Sequence, residues 1–295
     1  MAVVGFIGLG NMGLPMATNL VNAGHQVQGF DTIPEVMEEA KALNIKPCAE
    51  VVEAVNGAET VVTMLPNGAI VLSVLEKIIP ACAPGTLIID SSTVDVESAR
   101  KAHQMADAAG LGLIDCPVSG GIAGAAAGTL TFMIGGSPEN CKRAEPFLDI
   151  MGGRQVMCGE GGSGQAAKIC NNMLLAVSMI GTCEAFSLGK KLGLEPQALF
   201  DVMSTSSGSC WSINAYCPVA GVGPQSPSDN DYKPGFASSL MIKDSALAQD
   251  AATSTGQATP LGAHALELYR EFAKDVTEDL DFSGIITWLA TKERG

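Results

Sequence analysis

The strongest constraint on this chain is a glycine spacing set between a strand and a helix. An apolar run over residues 2–7 leads directly into Gly8-x-Gly10-x-x-Gly13. A helical pattern follows to Gly24, and a second strand-like run over residues 26–30 ends at Asp31. Each part has a physical job. Gly8 permits a tight strand-to-helix turn, Gly10 lets the backbone approach a pyrophosphate, and Gly13 lets the helix pack closely on the strand. The helix N-terminus then stabilises the phosphate charge. Asp31 stands 18 positions beyond Gly13, where a carboxylate accepts hydrogen bonds from adenosine ribose hydroxyls. A lone glycine triplet says little. Strand, helix, second strand and terminal acid in this order predict a dinucleotide-binding β-α-β unit.

The alternation continues through the first half. Helices are expected over residues 34–43, 50–56, 70–79, 95–109 and 138–151. Strands are expected over 60–65, 86–90, 112–118 and 129–134. That pattern predicts an α/β fold with a doubly wound, mostly parallel sheet, and ligands in such sheets bind beyond the carboxyl ends of the strands. Strand signals stop at Gly159-Glu160-Gly161-Gly162-Ser163-Gly164. One long helix is expected over 165–192, then helices over 196–203, 240–254, 260–274 and 282–289, with a Gly-, Pro- and Ser-rich loop over 204–235. The boundary falls near Gly164, giving a nucleotide-binding domain of residues 1–164 and an all-α domain of residues 165–295 joined by the long helix. That helix is apolar nearly all round, so neighbouring helices or a second subunit should bury it, as a homodimer or homotetramer.

Composition narrows the function. The chain of 295 residues carries 31 acids against 17 bases, a net charge of −14, which argues against a nucleic-acid partner. An anionic substrate would gain no long-range attraction and must be held by local donors. The nine cysteines form no C-x-x-C pair and no cluster with His25, His103 or His264. They read as small buried hydrophobes in a reducing compartment, with no metal expected. Residues 5–13 already belong to the first fold element, so no targeting segment is expected before them, and a cytoplasmic location is expected, with a processed organellar form as the alternative. Residues 173–188 read as too short and too polar for a bilayer, so no membrane partner is expected.

Four blocks then share a pattern: residues 5–17, Asp115-Cys116-Pro117-Val118-Ser119-Gly120-Gly121, Gly164-Gln165-Ala166-Ala167-Lys168-Ile169-Cys170-Asn171-Asn172, and Lys243-Asp244. In these, and over essentially its whole length, the chain resembles the β-hydroxyacid dehydrogenase family. The resemblance implies an N-terminal Rossmann domain, a helical second domain, and NAD-dependent oxidation of a small hydroxy acid. The branch it resembles oxidises 3-hydroxyisobutyrate to methylmalonate semialdehyde, a step of valine degradation. Tartronate or succinate semialdehyde, or serine, are alternative substrates, and a non-catalytic cofactor-binding regulator is a rival of another class. The retained Lys168 and Asn172 weigh against that rival.

The resemblance assigns Gly8, Gly10, Asn11, Met12, Gly13, Asp31, Leu65, Pro66, Thr93 and Lys243 to the cofactor. It assigns Ser119, Gly120, Gly121, Asn172, Trp211 and Phe236 to the substrate, and makes Lys168 the catalytic lysine. Chemistry supports the central assignments. Oxidising an alcohol needs a hydride acceptor and a base for the hydroxyl proton. Lys168 lies about one turn into the long helix, where the dipole and burial both disfavour a charged amine. Asn172 is four residues on, along the same helix face. Ser119-Gly120-Gly121 offers a hydroxyl and uncrowded backbone N–H groups for a carboxylate. Asp244 reads as either the partner of Lys243 or a solvated acid. Trp211 and Phe236 read as either pocket walls or core aromatics. With no Arg between residues 28 and 37 and Asp31 in place, NAD is favoured over NADP.

Overall fold

Strands of β-branched and aliphatic residues alternate with amphipathic helices through the first unit of the chain, which runs from Met1 to Lys168. The computed structural model describes residues 1–292. In order, the elements are β1 (Val3–Ile7), α1 (Gly13–Asn22), β2 (Gln26–Phe30), α2 (Pro34–Ala42), β3 (Lys46–Pro47), β4 (Thr60–Thr63), α3 (Gly68–Ile78), β5 (Leu87–Asp90) and α4 (Val96–Ala108). Then come β6 (Gly112–Asp115), β7 (Val118–Ser119), α5 (Gly121–Ala127), β8 (Leu130–Gly135), α6 (Pro138–Met151) and β9 (Gly152–Gly159). The sheet order is β3-β2-β1-β4-β5-β6-β8-β7, with β9 paired to β8. The pairs from β3 to β6 are parallel, while β8 runs antiparallel to β6 and β7.

Side chains alternate across this sheet and build two cores. Val4, Phe6, Val62, Ile89 and Ile114 pack with Met16 and Leu20 of α1 and with Ala144 and Leu148 of α6. Ile7, Val61, Ile88 and Leu113 pack on the other face with Val71 and Leu75 of α3 and Ala99 and Ala102 of α4. Burial on both faces explains why these strands are nearly continuous apolar runs. The architecture is the doubly wound sheet expected, and the turn from β1 into α1 places Gly8–Gly13 at the carboxyl end of the central strands.

Two local expectations need correction, and two further elements were not expected. Residues 50–56 form only a single 3-10 turn at Glu53–Val55. The strand expected over 112–118 breaks after Asp115 and resumes as β7. Helix α5 was hidden because its sequence, GIAGAAA, carries two glycines, which disfavour helix. Strand β9 was hidden because it is an exposed edge strand with no buried apolar face.

The second unit begins at Ile169 and, among the described residues, is helical. Helix α7 (Ser163–Lys191) starts in the first unit and runs on into the second. At 1.5 Å per residue it is about 44 Å long. Then follow α8 (Pro196–Thr205), α9 (Trp211–Asn214), α10 (Ser238–Thr255), α11 (Pro260–Asp275) and α12 (Ile285–Leu289). The loop expected over 204–235 thus contains α9 and a 3-10 turn at Pro227–Asn230. Ala176, Met179, Ile180 and Cys183 of α7 pack with Met241 of α10 and Tyr269 and Phe272 of α11. By length and composition alone α7 is long and apolar enough to cross a bilayer, because the helix extends beyond the 173–188 segment. That corrects the expectation from sequence; 44% of its most apolar stretch is buried inside the chain.

Candidate active site

The glycine loop is shaped by close approaches. Gly8 has φ +91°, and a Cβ there would strike the Met64 carbonyl; a Cβ at Gly13 would strike the Gly8 carbonyl. Gly10 differs: a Cβ there would meet nothing within 4 Å. Its missing side chain leaves open space against an exposed backbone, which is the cradle a pyrophosphate needs. Met12, at the N-cap of α1, supplies no side-chain oxygen to the first helical N–H groups, and Asn11 beside it is exposed. Asp31 fixes the loop from below. One carboxylate oxygen accepts from the Leu9 N–H at 2.7 Å and the other from the Ile33 N–H at 3.0 Å. Each oxygen keeps a lone-pair direction for a ribose hydroxyl. These residues fit a dinucleotide.

The next two strand ends are tied together. The Leu65 N–H donates to Ser92 Oγ at 2.8 Å, joining the loop that carries Pro66 to the loop that carries Thr93. Pro66 is exposed and Thr93 half-buried, as a rim would be. Asn67 then caps α3 by accepting from the Ile70 N–H. After β7, Gly120 (φ +138°) and Gly121 (φ +63°) turn the chain into α5 with Ser119 half-buried before them.

Lys168 is 6% exposed, and its Nζ donates to the Val118 carbonyl at 2.8 Å. A buried amine is costly unless hydrogen-bonded. This bond places it one residue before Ser119, so the candidate base and the candidate carboxylate-binding turn share one corner of the first unit. Asn172 stands one helical turn later in the second unit. It is buried, and its Nδ2 donates to Asp244 Oδ2 while its Oδ1 accepts from Asn171. Asp244 is therefore a buried acid that fixes the Asn172 amide, which removes the solvated reading. Lys243, its neighbour on α10, is half-buried, and burial pushes its ammonium pKa below the ordinary value against the pull of Asp244.

Trp211 is 52% exposed, which removes the core reading. It stacks on Tyr216 at 4.8 Å between ring centroids, and Tyr216 stacks in turn on Phe282. Phe236 meets Phe282 edge-on. Asp281 accepts from Tyr216 Oη and from the Gly235 and Phe236 N–H groups, holding this aromatic set from one buried carboxylate. Neither Tyr216 nor Asp281 is singled out by sequence. Each looks ordinary until the fold brings residues 211, 216, 236 and 281 together.

All nine cysteines are free, and among the described residues no His, Cys, Asp and Glu cluster is arranged to hold a metal. Five thiols are buried as expected, but Cys170 is exposed on α7.

Comparison with known proteins agrees along the whole chain. The family model described as the NAD binding domain of 6-phosphogluconate dehydrogenase matches residues 3–159. That described as the NAD-binding domain of NADP-dependent 3-hydroxyisobutyrate dehydrogenase matches residues 162–289. A probable 3-hydroxyisobutyrate dehydrogenase of Mycobacterium tuberculosis is 49% identical over 292 residues, covering 99% of both chains. An NAD-dependent L-serine dehydrogenase of Pseudomonas aeruginosa is 44% identical over 286 residues, covering 96% of both. A solved structure of the Mycobacterium tuberculosis 3-hydroxyisobutyrate dehydrogenase with L-serine superposes with a TM-score of 0.95, at 49% identity and over 98% of this chain and 99% of that one.

Proposed function

This chain belongs to the 3-hydroxyisobutyrate dehydrogenase family of NAD-dependent oxidoreductases, and we propose that it oxidises 3-hydroxyisobutyrate to methylmalonate semialdehyde. The observation that carries the reading is Lys168, a buried amine held on the Val118 carbonyl beside Ser119. NAD, when bound, supplies the acceptor for the hydride that leaves the carbinol carbon. Gly8, Gly10, Asn11, Met12 and Gly13 would hold its pyrophosphate, Asp31 its adenosine ribose, and Leu65, Pro66 and Thr93 its remaining length; Lys243 is the residue of the helical unit that the resemblance assigns to it.

Lys168, in its neutral form, takes the hydroxyl proton as the carbinol carbon is oxidised, and the resulting ammonium rests on the Val118 carbonyl. Ser119 Oγ and the N–H groups of Gly120 and Gly121 hold the substrate carboxylate. Asn172, with one N–H fixed on Asp244, presents its other N–H to the substrate hydroxyl and sets its angle to the amine. Trp211 and Phe236 form the apolar wall against the substrate methyl. Residues 1–164 act as the nucleotide-binding domain, and the helical remainder carries substrate selectivity and self-association.

L-serine oxidation is the second reading, favoured by the relative of that name at 44% identity. Serine carries an ammonium where 3-hydroxyisobutyrate carries a methyl, and a site built for either rejects the other by leaving a polar group unpaired. Steady-state kinetics with NAD on 3-hydroxyisobutyrate and L-serine decides between them. The proposal expects the higher kcat/KM for 3-hydroxyisobutyrate, and the reverse order replaces it with serine oxidation.

A further inference from the structure

Asp115, at the last position of β6, is fully buried. Its carboxylate is saturated by groups from two elements. Oδ1 accepts from the Gly162 N–H at 2.7 Å and lies 2.9 Å from His103 Nε2 of α4; Oδ2 accepts from the Gln165 N–H at 2.9 Å. The two backbone donors are the last residue before α7 and its third residue, so the carboxylate caps the helix that carries Lys168. The surroundings are tight: a Cβ at Gly135 would strike the carboxylate, and one at Gly164 would strike the Met133 and Asp115 carbonyls and lie 2.9 Å from Oδ2.

The same turn is clamped from a second side. Gln165 Nε2 donates to the Ser92 carbonyl at 2.7 Å, and its Oε1 accepts from the Val94 N–H at 3.0 Å. Lys168 follows three residues later, and its Nζ reaches Val118, three residues after Asp115 in the chain. One short segment, residues 115–118, thus holds both the start of the lysine's helix and the tip of its side chain.

We infer that Asp115 is a positioning residue for the Lys168 base, acting by fixing the first turn of α7 through two backbone N–H groups, with His103 and Gln165 as its supports. This rests on the reading of Lys168 as the base. An uncapped helix start lets the first turn fray, and fraying shifts the residue that follows it. The carboxylate also opposes the positive end of the helix dipole. An isosteric amide removes one acceptor and sets an NH2 group against a backbone N–H, so the turn loses a bond and gains a repulsion.

The test is Asp115→Asn, measured for kcat, substrate KM, NAD affinity by fluorescence, and thermal midpoint, in the wild-type and Lys168→Met backgrounds. A misplacement of about 1 Å in a catalytic group costs about 100-fold. The expected result is a fall in kcat of that order, with KM and NAD affinity within about twofold of wild type. In the Lys168→Met background the same substitution should change turnover little, because residues acting through one group are not additive. His103→Leu and Gln165→Met should lower kcat in the same sense. They leave the carboxylate on its two backbone donors, so they carry the test if Asp115→Asn does not fold, and His103→Gln should restore turnover by restoring a donor. Unchanged kcat in all three variants overturns the inference, and so does a loss repeated undiminished in the Lys168→Met background. A loss of NAD affinity equal to the loss of turnover assigns Asp115 a purely structural role and also overturns it. If Lys168→Met alone keeps wild-type turnover, the base assignment fails instead.

Discussion

Asp31 holds the glycine loop with one carboxylate oxygen and its own turn with the other, through Leu9 and Ile33. A 2′-phosphate on the adenosine ribose would meet this carboxylate, and residues 28–37 contain no guanidinium to offset it. Like charges forced together cost several kcal/mol, so kcat/KM should favour NAD over NADP by at least about 100-fold. Equal values, or a preference for NADP, would remove this role for Asp31.

Asp90 makes the opposite kind of statement. It is fully buried at the end of β5, directly across from Asp115 in the parallel register. Oδ1 accepts from Thr63 Oγ1 and the Ser92 N–H, but Oδ2 has no partner among the described residues. Burial, opposed by these hydrogen bonds and aided by Asp115, pushes its pKa up from 3.8 to about 6. Between those values the folded chain keeps a proton that the unfolded chain has lost, so this group's contribution to stability falls as pH rises from about 4 to about 6 and is then level. Asp90→Asn keeps the Oδ1 acceptor and cannot ionise. Chemical denaturation should therefore show the variant more stable than wild type at pH 7, by up to roughly 3 kcal/mol, with the gain vanishing below pH 4. A variant less stable at pH 7 than wild type would show that the ionised form is favoured in the fold.

At the scale of elements, α7 carries an unmatched stripe. Leu174 and Leu188 are 66% and 61% exposed, and Gly181, seven residues from each, has open space where its Cβ would stand. Two large apolar residues flanking a small one at heptad spacing suit close packing by a second helix. Light scattering at micromolar concentration should give a mass at or above that of a dimer, and Leu174→Asp with Leu188→Asp should lower it. A wild-type monomer would show that the stripe is not a subunit contact.

Elements with a strong period were legible: β1, α1, β4, β5 and α7 follow from apolar runs and glycine punctuation. Elements whose order comes from their neighbours were not. Helix α5 is capped by a glycine in a conformation that sequence does not mark, and β9 is held by pairing to β8 rather than by burial. The same division runs through the site. Lys168, Asn172 and the glycine loop sit in recognisable spacings. Asp115 and Gln165 lie beside those recognisable residues in the chain, yet their contacts span 47 to 73 residues of sequence, and only the folded sheet brings them together.

For the molecule as a whole, an unpaired thiol set has a consequence in chemical kinetics. Cys116 and Cys183 are sealed in cores, and burial pushes both thiols well above their ordinary pKa; Cys48, Cys82, Cys141, Cys158 and Cys217 are shifted the same way. The thiolate is the reacting form, so the buried ones among these are slow toward a disulfide reagent while the fold persists. Cys170 alone is exposed. Ellman's reagent should therefore titrate Cys170 and the partly exposed Cys82, Cys158 and Cys210 first, and the five buried thiols only as molecules open. Cys170→Ser should remove one equivalent from the fast phase; more than four fast thiols in the native protein would contradict the packing described. The slow phase then becomes a clock for opening: each buried sulfur is a timestamp on the layer around it, and the order in which each unit unfolds can be read from which thiols report first.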